Sequence, residues 1–129
     1  LLTEAIIELL KLATVVGDRN NLEGNKNLAR GNDNTVKGSE NILEGDRNKV
    51  TGSQNSVAGD DNAVKGDSNF LKGIKKGPGN NNGVIGDSNQ VIGDSNTLNG
   101  NDNKVKGDHN AVVGSLNQII GTSNTVEGD

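Results

Sequence analysis

The sequence contains no cysteine, tryptophan, tyrosine or methionine, and Phe70 and Pro78 are its only phenylalanine and proline. The missing cysteines exclude a disulfide framework and a thiolate metal site. So few large apolar side chains cannot form the core of an ordinary globular domain. No apolar run approaches the roughly 18 residues that a bilayer-spanning helix needs, so we expect no membrane insertion. Only a periodic architecture that shares many small contacts would order a chain of this composition.

Positive charge is also scarce, because the formal net charge is −4 and the isoelectric point is near 4.9. Lysine and arginine are neither in excess nor clustered along the chain. A nucleic-acid interface needs a basic patch that neutralises phosphates, so we expect no nucleic-acid partner.

Glycine, by contrast, is abundant and regularly spaced. It recurs every seven residues from Gly17 to Gly128, except for one interval of six between Gly73 and Gly79. Counting this glycine as position 1, position 4 is asparagine and position 6 is aliphatic in all 15 full heptads, G-x-x-N-x-[VLI]-x. A coiled coil is excluded, because it needs two apolar positions per heptad and each helical glycine would cost about 1 kcal/mol.

A strand-and-turn unit fits the heptad. Glycine supplies a turn with positive φ, and positions 4 and 6 face one side of a short strand while positions 5 and 7 face the other. The sequence therefore predicts an all-β fold, a two-sheet parallel β-solenoid (β-roll) with 14 residues per coil and about eight coils over residues 17–129. Position 6 fills a thin core, and the inward asparagines stack as a structural ladder. The predicted ladder is Asn20, Asn34, Asn48, Asn62, Asn89, Asn103 and Asn117.

The charge pattern supports a coil of 14 rather than seven residues. Position 3 reads Arg19, Asp33, Arg47 and Asp61 at intervals of 14, so opposite charges fall on adjacent rungs. A seven-residue coil would instead stack like charges. The longer coil is the better fit.

Two segments depart from the repeat. Residues 1–16 carry Glu4, Glu8 and Lys11 on one helical face, which predicts an amphipathic α-helix that caps the N-terminal coil or docks elsewhere. Residues 73–78, "GIKKGP", lack the asparagine and the aliphatic residue, and we interpret them as a looped-out half coil that interrupts the solenoid.

No pattern of catalytic residues is present. His109 is the only histidine and is expected at a surface corner, and the aspartates that follow glycine are expected to cap turns rather than bind calcium. We therefore predict a non-enzymatic protein with no metal site and no cofactor.

The repeats "GNDNTVKG" (31–38), "GDSNTLNG" (93–100) and "GTSNTVEG" (121–128) resemble those of the grass ice-recrystallisation-inhibition proteins, the ryegrass antifreeze type. The resemblance covers residues 17–128 and implies a left-handed β-roll with a flat ice-binding face. More loosely, the heptads are similar to the head repeats of trimeric autotransporter adhesins.

The resemblance implies ice binding or inhibition of ice recrystallisation, by a protein located outside the cell or on its surface. The face expected to contact ice or a partner consists of small and mostly uncharged side chains. Its residues are Ile85, Thr97, Asn99, Ala111, Val113 and Thr125. The alternative is a structural subunit of an extracellular or cell-surface filament, in which other copies of the chain are the partner. Leu28, Ile42 and Phe70 are then the candidate assembly residues.

Overall fold

The computed structural model describes residues 14–73 and 80–129. This part of the chain forms 16 strands of three residues each. They are β1 (Thr14–Val16), β2 (Asn21–Glu23), β3 (Leu28–Arg30), β4 (Thr35–Lys37), β5 (Ile42–Glu44), β6 (Lys49–Thr51), β7 (Ser56–Ala58), β8 (Ala63–Lys65), β9 (Phe70–Lys72), β10 (Gly83–Ile85), β11 (Gln90–Ile92), β12 (Thr97–Asn99), β13 (Lys104–Lys106), β14 (Ala111–Val113), β15 (Gln118–Ile120) and β16 (Thr125–Glu127).

The strands form two parallel sheets of eight strands each. The odd-numbered strands make one sheet, here the odd sheet, and the even-numbered strands make the other, the even sheet. Each strand pairs in register with the next strand of its own sheet, as Thr35 does with Lys49. The prediction of an all-β, two-sheet parallel solenoid with 14 residues per coil and about eight coils is therefore confirmed.

Each regular turn contains two residues with positive φ. The glycine at position 1 has φ between 110° and 146°, and position 3 adopts the left-handed helical conformation. Gly52, with φ of 133°, shows a second constraint, because an added Cβ would overlap the carbonyl oxygen of Gly66 one coil away. Glycine is therefore required both by the turn and by the close stacking of coils.

Position 6 forms the core, as predicted. One aliphatic side chain per strand points between the two sheets, and 13 of them are buried. They are Ala29, Val36, Leu43, Val50, Val57, Val64, Leu71, Val84, Val91, Leu98, Val105, Val112 and Ile119.

The asparagines at position 4 form hydrogen bonds with one another and with the backbone of the turns. Asn48 Nδ2 donates to Asn34 Oδ1 (3.1 Å) and to the carbonyl of Gly59 (2.8 Å), and its Oδ1 accepts from the backbone N–H (3.0 Å) and Nδ2 (2.9 Å) of Asn62. All four hydrogen-bonding sites of the amide are used in a buried position. The prediction that inward asparagines stack as a ladder is confirmed, and one such ladder runs along each sheet.

The membership of the predicted ladder is wrong beyond Asn62. Asn62 Oδ1 accepts from Asn82, not from Asn89. Asn89, Asn103 and Asn117 continue the other ladder, in which Asn89 Nδ2 donates to Asn69 Oδ1 at 3.0 Å.

The cause is the irregular segment. The turn between β9 and β10 runs over residues 73–82, and it places β8 next to β10 and β9 next to β11. Pairing across this turn joins residues 20 positions apart instead of 14. The segment thus adds six residues to one turn and does not replace a half coil. Residues 74–79 lie outside the described residues.

The predicted capping helix over residues 1–16 is also wrong. Thr14–Val16 form β1 and pair with Leu28–Arg30, and the described part of the chain contains no helix. Three consecutive β-branched residues favour a strand over a helix, and β3 offers an edge with which to pair. Residues 1–13 lie outside the described residues.

Candidate functional site

Positions 5 and 7 of each heptad carry the strand side chains that point to solvent. Any binding surface on the sheets is therefore built from these two columns. On the even sheet, position 5 aligns Gly83, Thr97, Ala111 and Thr125 on successive strands. Position 7 places Asn99 between Ile85 and Val113.

All six residues predicted to contact ice or a partner therefore lie on one face of the even sheet. We call this surface the uncharged face, formed by the outward residues of β10, β12 and β14 together with Thr125. Ile85 and Val113 are the exposed large apolar residues of this face, with relative residue exposures of 54% and 52%. The next strands carry charge at position 7, because Lys65 lies opposite Ile85 and Glu127 lies opposite Val113.

The predicted contact residues included neither Gly83, which lies on the uncharged face, nor its neighbour Ala63 on β8. Counting the irregular segment as a half coil placed Gly83 next to Phe70, whereas the structure pairs it with Ala63. The signal was available, because joining Gly73 directly to Asn80 restores the regular turn G-N-N-N. Gly83 leaves open space, and a shallow depression of about 760 Å³ surrounds it.

The candidate assembly residues lie on the other sheet. Leu28 and Ile42 are neighbours on β3 and β5, and Ser56 separates Ile42 from Phe70. Leu28 is half-buried, whereas Ile42 and Phe70 are exposed. They do not join the uncharged face, and their role in assembly stays a prediction.

The corners of the N-terminal half carry ion pairs in the predicted register. Arg47 Nε donates to Asp61 Oδ1 at 2.6 Å, and this guanidinium holds the pKa of the Asp61 carboxyl below its ordinary value, against the opposing effect of burial. Arg19 and Asp33 make the same contact. The charge alternation used to choose the longer coil thus corresponds to real contacts.

The aspartates that follow glycine have a different role from the local turn caps that we expected. Asp60 Oδ1 accepts from the backbone N–H of Asp46, one coil earlier, at 2.7 Å. Serine and asparagine at position 2 do the same, as in Asp18 N–H to Asn32 Oδ1 at 2.8 Å. The side chains at position 2 therefore join adjacent coils by hydrogen bonds at the corners.

The described residues offer little for other chemistry. No group of three or more histidine, aspartate or glutamate side chains in residues 14–73 and 80–129 is placed to hold a metal ion. His109 is an exposed corner residue, as predicted. Within the same two ranges, no helix is long and apolar enough to cross a bilayer.

A family model for the grass antifreeze β-roll matches residues 11–78, slightly more than half of the chain. The protein belongs to the grass antifreeze β-roll family. No curated protein matches the chain in a sequence search. The resemblance drawn from the heptads is thus confirmed, and the family is one of antifreeze rolls and not of enzymes.

The family match covers β1 to β9, and the uncharged face lies beyond it on β10 to β16. The same heptad and the same ladders run through both parts. Asn96, for example, donates to Asn82 Oδ1 at 3.1 Å and to the carbonyl of Gly107 at 2.8 Å. The antifreeze roll therefore continues to the last strand.

Proposed function

We propose that this antifreeze β-roll binds ice through the uncharged face of the even sheet and thereby inhibits ice recrystallisation. The observation that carries the proposal is the array formed by β10, β12 and β14. Six outward positions on three adjacent strands carry no charge, and no other run of three adjacent described strands shares this property.

The spacing of this array suits a crystalline ligand. Strands stack about 4.8 Å apart, and positions 5 and 7 are about 6.6 Å apart along a strand. Because every pair is in register, the side chains form a rectangular two-dimensional lattice. Oxygen atoms on the faces of hexagonal ice repeat on a comparable length scale.

The chemistry of the side chains suits ice as well. Thr97 and Thr125 combine a methyl group with a hydroxyl, and Ile85, Ala111 and Val113 add only hydrocarbon. Such groups hold water weakly and allow it to take up an ice-like order, whereas a charged group keeps its own hydration shell. Asn99 adds an amide that can hydrogen-bond to the water layer.

Rigidity also favours this function. The backbone under the face is fixed by the asparagine ladders and by a fully buried core that includes Val84, Leu98 and Val112. A surface that must match a lattice loses little conformational entropy when it is already ordered. An extracellular or cell-surface location would place this face where ice grows.

The test is to replace Thr97 with tyrosine, whose ring would stand above the plane and prevent close contact with a flat crystal. We expect Thr97→Tyr to lose most ice-recrystallisation inhibition while its circular dichroism and melting temperature stay near wild type. Ser56→Tyr is the matched control, because Ser56 occupies the same heptad position on the odd sheet. Unchanged activity in Thr97→Tyr would remove this face as the ice-binding surface.

A further inference from the structure

The odd sheet changes character after β7. From β9 to β15 its outward positions carry lysine, glutamine, isoleucine and one phenylalanine, with no carboxylate. These residues are Phe70, Lys72, Gln90, Ile92, Lys104, Lys106, Gln118 and Ile120. We call this surface the cationic face, because it carries three positive charges on a protein whose net charge is −4.

The three lysines of this face differ from Arg19, Lys26, Lys37 and Arg47, although Arg30, Lys49 and Lys65 likewise form no ion pair among the described residues of the N-terminal half. There, ion pairs join adjacent coils, as in Lys26 with Glu40 (3.4 Å) and Lys37 with Glu23 (3.0 Å). No carboxylate of residues 14–73 or 80–129 lies within ion-pair distance of the lysines on the cationic face. The aspartates of the C-terminal half lie at the corners between the sheets. Three ammonium groups are therefore left for a partner.

The register arranges these side chains in two rows along the solenoid axis. One row reads Lys72, Ile92, Lys106 and Ile120, and the other reads Phe70, Gln90, Lys104 and Gln118. Between β9 and β15 the rows extend about 14 Å, three inter-strand steps of about 4.8 Å. A shallow groove of about 160 Å³ lies over β11, β13 and β15. An extended polymer lying along the axis would meet ammonium, hydrocarbon and amide groups in alternation.

We propose that the cationic face binds a linear acidic polysaccharide, a polyuronate. The lysines would pair with uronate carboxylates, the amides of Gln90 and Gln118 would hydrogen-bond to hydroxyl groups, and the hydrocarbon of Phe70 and the isoleucines would contact the C–H faces of the sugar rings. This combination distinguishes the face from a simple charge patch. The surface is separate from the uncharged face, since it lies on the opposite sheet.

Other polyanions fit the face less well. A membrane-surface element needs a much larger apolar area together with several cations. Duplex DNA carries about one negative charge per 1.7 Å of its axis, so rows of about 14 Å would bring roughly eight phosphates to three lysines, whereas a polyuronate carries only one carboxylate per sugar. Both ligands therefore serve as comparisons in the test.

The experiment titrates the full chain with polygalacturonate by isothermal calorimetry and affinity electrophoresis. We expect binding at low ionic strength that falls at least tenfold at about 0.5 M NaCl, where exposed charges are screened. The double variant Lys104→Gln/Lys106→Gln should bind at least about tenfold more weakly while retaining wild-type ice-recrystallisation inhibition. Lys49→Gln/Lys65→Gln makes the same charge change on the even sheet and should stay within about twofold of wild type.

Phe70→Ala separates sugar recognition from charge attraction, because it leaves every charge in place. We expect it to weaken polygalacturonate binding several-fold, and unchanged affinity would overturn the proposal. So would the absence of wild-type binding, an equal loss in the two lysine double variants, or tighter binding to phosphatidylserine vesicles or to duplex DNA. The ice-recrystallisation assay is independent of these outcomes.

Discussion

Asn82 Nδ2 donates to Asn62 Oδ1 at 3.0 Å, although the two residues are 20 positions apart, and this contact matches the one between Asn62 and Asn48, 14 positions apart, at 2.9 Å. The ladder therefore passes the irregular segment without a break. The neighbouring contacts also hold, because Asn80 Oδ1 accepts from the backbone N–H of Asp60 at 2.7 Å, as its counterparts do in regular coils.

Deletion of residues 74–79 should therefore leave a folded protein. It joins Gly73 to Asn80 and creates the turn G-N-N-N, which has the spacing of every other turn. We expect a melting temperature within a few degrees of wild type, or slightly higher because the closed loop is shorter, and unchanged ice-recrystallisation inhibition. A matched deletion of six residues within a regular coil, residues 46–51, removes β6 and the ladder amide of Asn48, so its melting temperature should fall well below that of the first deletion. Loss of the β-sheet circular dichroism signal in the first deletion would contradict the register.

Asn48→Ala should strongly destabilise the roll. It leaves partners on Asn34, Gly59 and Asn62 unsatisfied in the interior, and each such group costs about 1–3 kcal/mol, so we expect a total loss of at least about 3 kcal/mol. Asn124→Ala is the control, since the half-buried Asn124 hydrogen-bonds only to Asn110 through its side chain and N–H. Urea unfolding of both variants measures the difference, and equal losses would mean that the ladder contributes little.

Gly83→Thr should improve both stability and ice binding. An added Cβ meets no atom within 4 Å, the position lies in a strand, and threonine would extend the column that contains Thr97 and Thr125. Replacing a strand glycine should stabilise the fold by about 0.5–1 kcal/mol, and recrystallisation should be inhibited at a lower protein concentration.

The same substitution at Gly52 provides the contrast. There the Cβ would overlap the Gly66 carbonyl and φ is 133°, so Gly52→Thr should fail to fold. If Gly83→Thr folds normally but inhibits recrystallisation less well than wild type, the uncharged face does not contact ice through this column.

Leu116→Asn should raise stability. Leu116 has φ of 63° and the residue is 75% exposed. The strain of the left-handed conformation is therefore not offset by packing of the side chain. Asparagine tolerates this conformation better, and we expect a gain of about 1 kcal/mol. Leu116→Ala keeps the strain while removing the exposed side chain. A similar gain in the alanine variant, measured by thermal unfolding, would attribute the effect to the lost apolar surface.

The Arg47–Asp61 pair should make stability depend on acid pH. Because the hydrogen bond from Arg47 lowers the pKa of Asp61 in the folded state below 3.8, the pair stabilises the fold above that value and its contribution is lost as the pH falls through the lowered pKa. Urea midpoints of wild type and Asp61→Asn should differ at about pH 7, and the difference should shrink as the pH falls below 3.8. A difference that persists in acid would assign it to packing instead.

The repeat predicted most of the fold because each heptad position has a single physical task. Glycine at position 1 allows the chain to turn, asparagine at position 4 hydrogen-bonds to the backbone of the turn, and the aliphatic residue at position 6 packs in the core. The left-handed residue at position 3 was missed, since it accepts side chains as different as Arg47, His109 and Leu116. The sequence does indicate this conformation in one way: no β-branched residue occupies position 3 in any described turn.

The remaining errors arose where the periodicity ends. The helical spacing of Glu4, Glu8 and Lys11 led us to extend a helix over Thr14–Val16, although these three β-branched residues favour a strand and pair with the edge of β3. The interval between Gly73 and Gly79 is compatible with either a shortened coil or an insertion, and heptad counting alone cannot distinguish them. The six proposed contact residues were nevertheless placed on one sheet, because all of them lie on the same side of the insertion.

Within the regular part of the roll, every strand pairs with the strand one coil away, so one coil is a complete module with its own turns, core residues and ladder amides. A duplication of one whole coil, two heptads long, would pass through the molecule without disturbing any existing contact. Each such duplication adds one strand, and two outward side chains, to both broad faces. The area offered to a partner can therefore grow in fixed steps by simple gene duplication, while the folding rules of the chain stay the same.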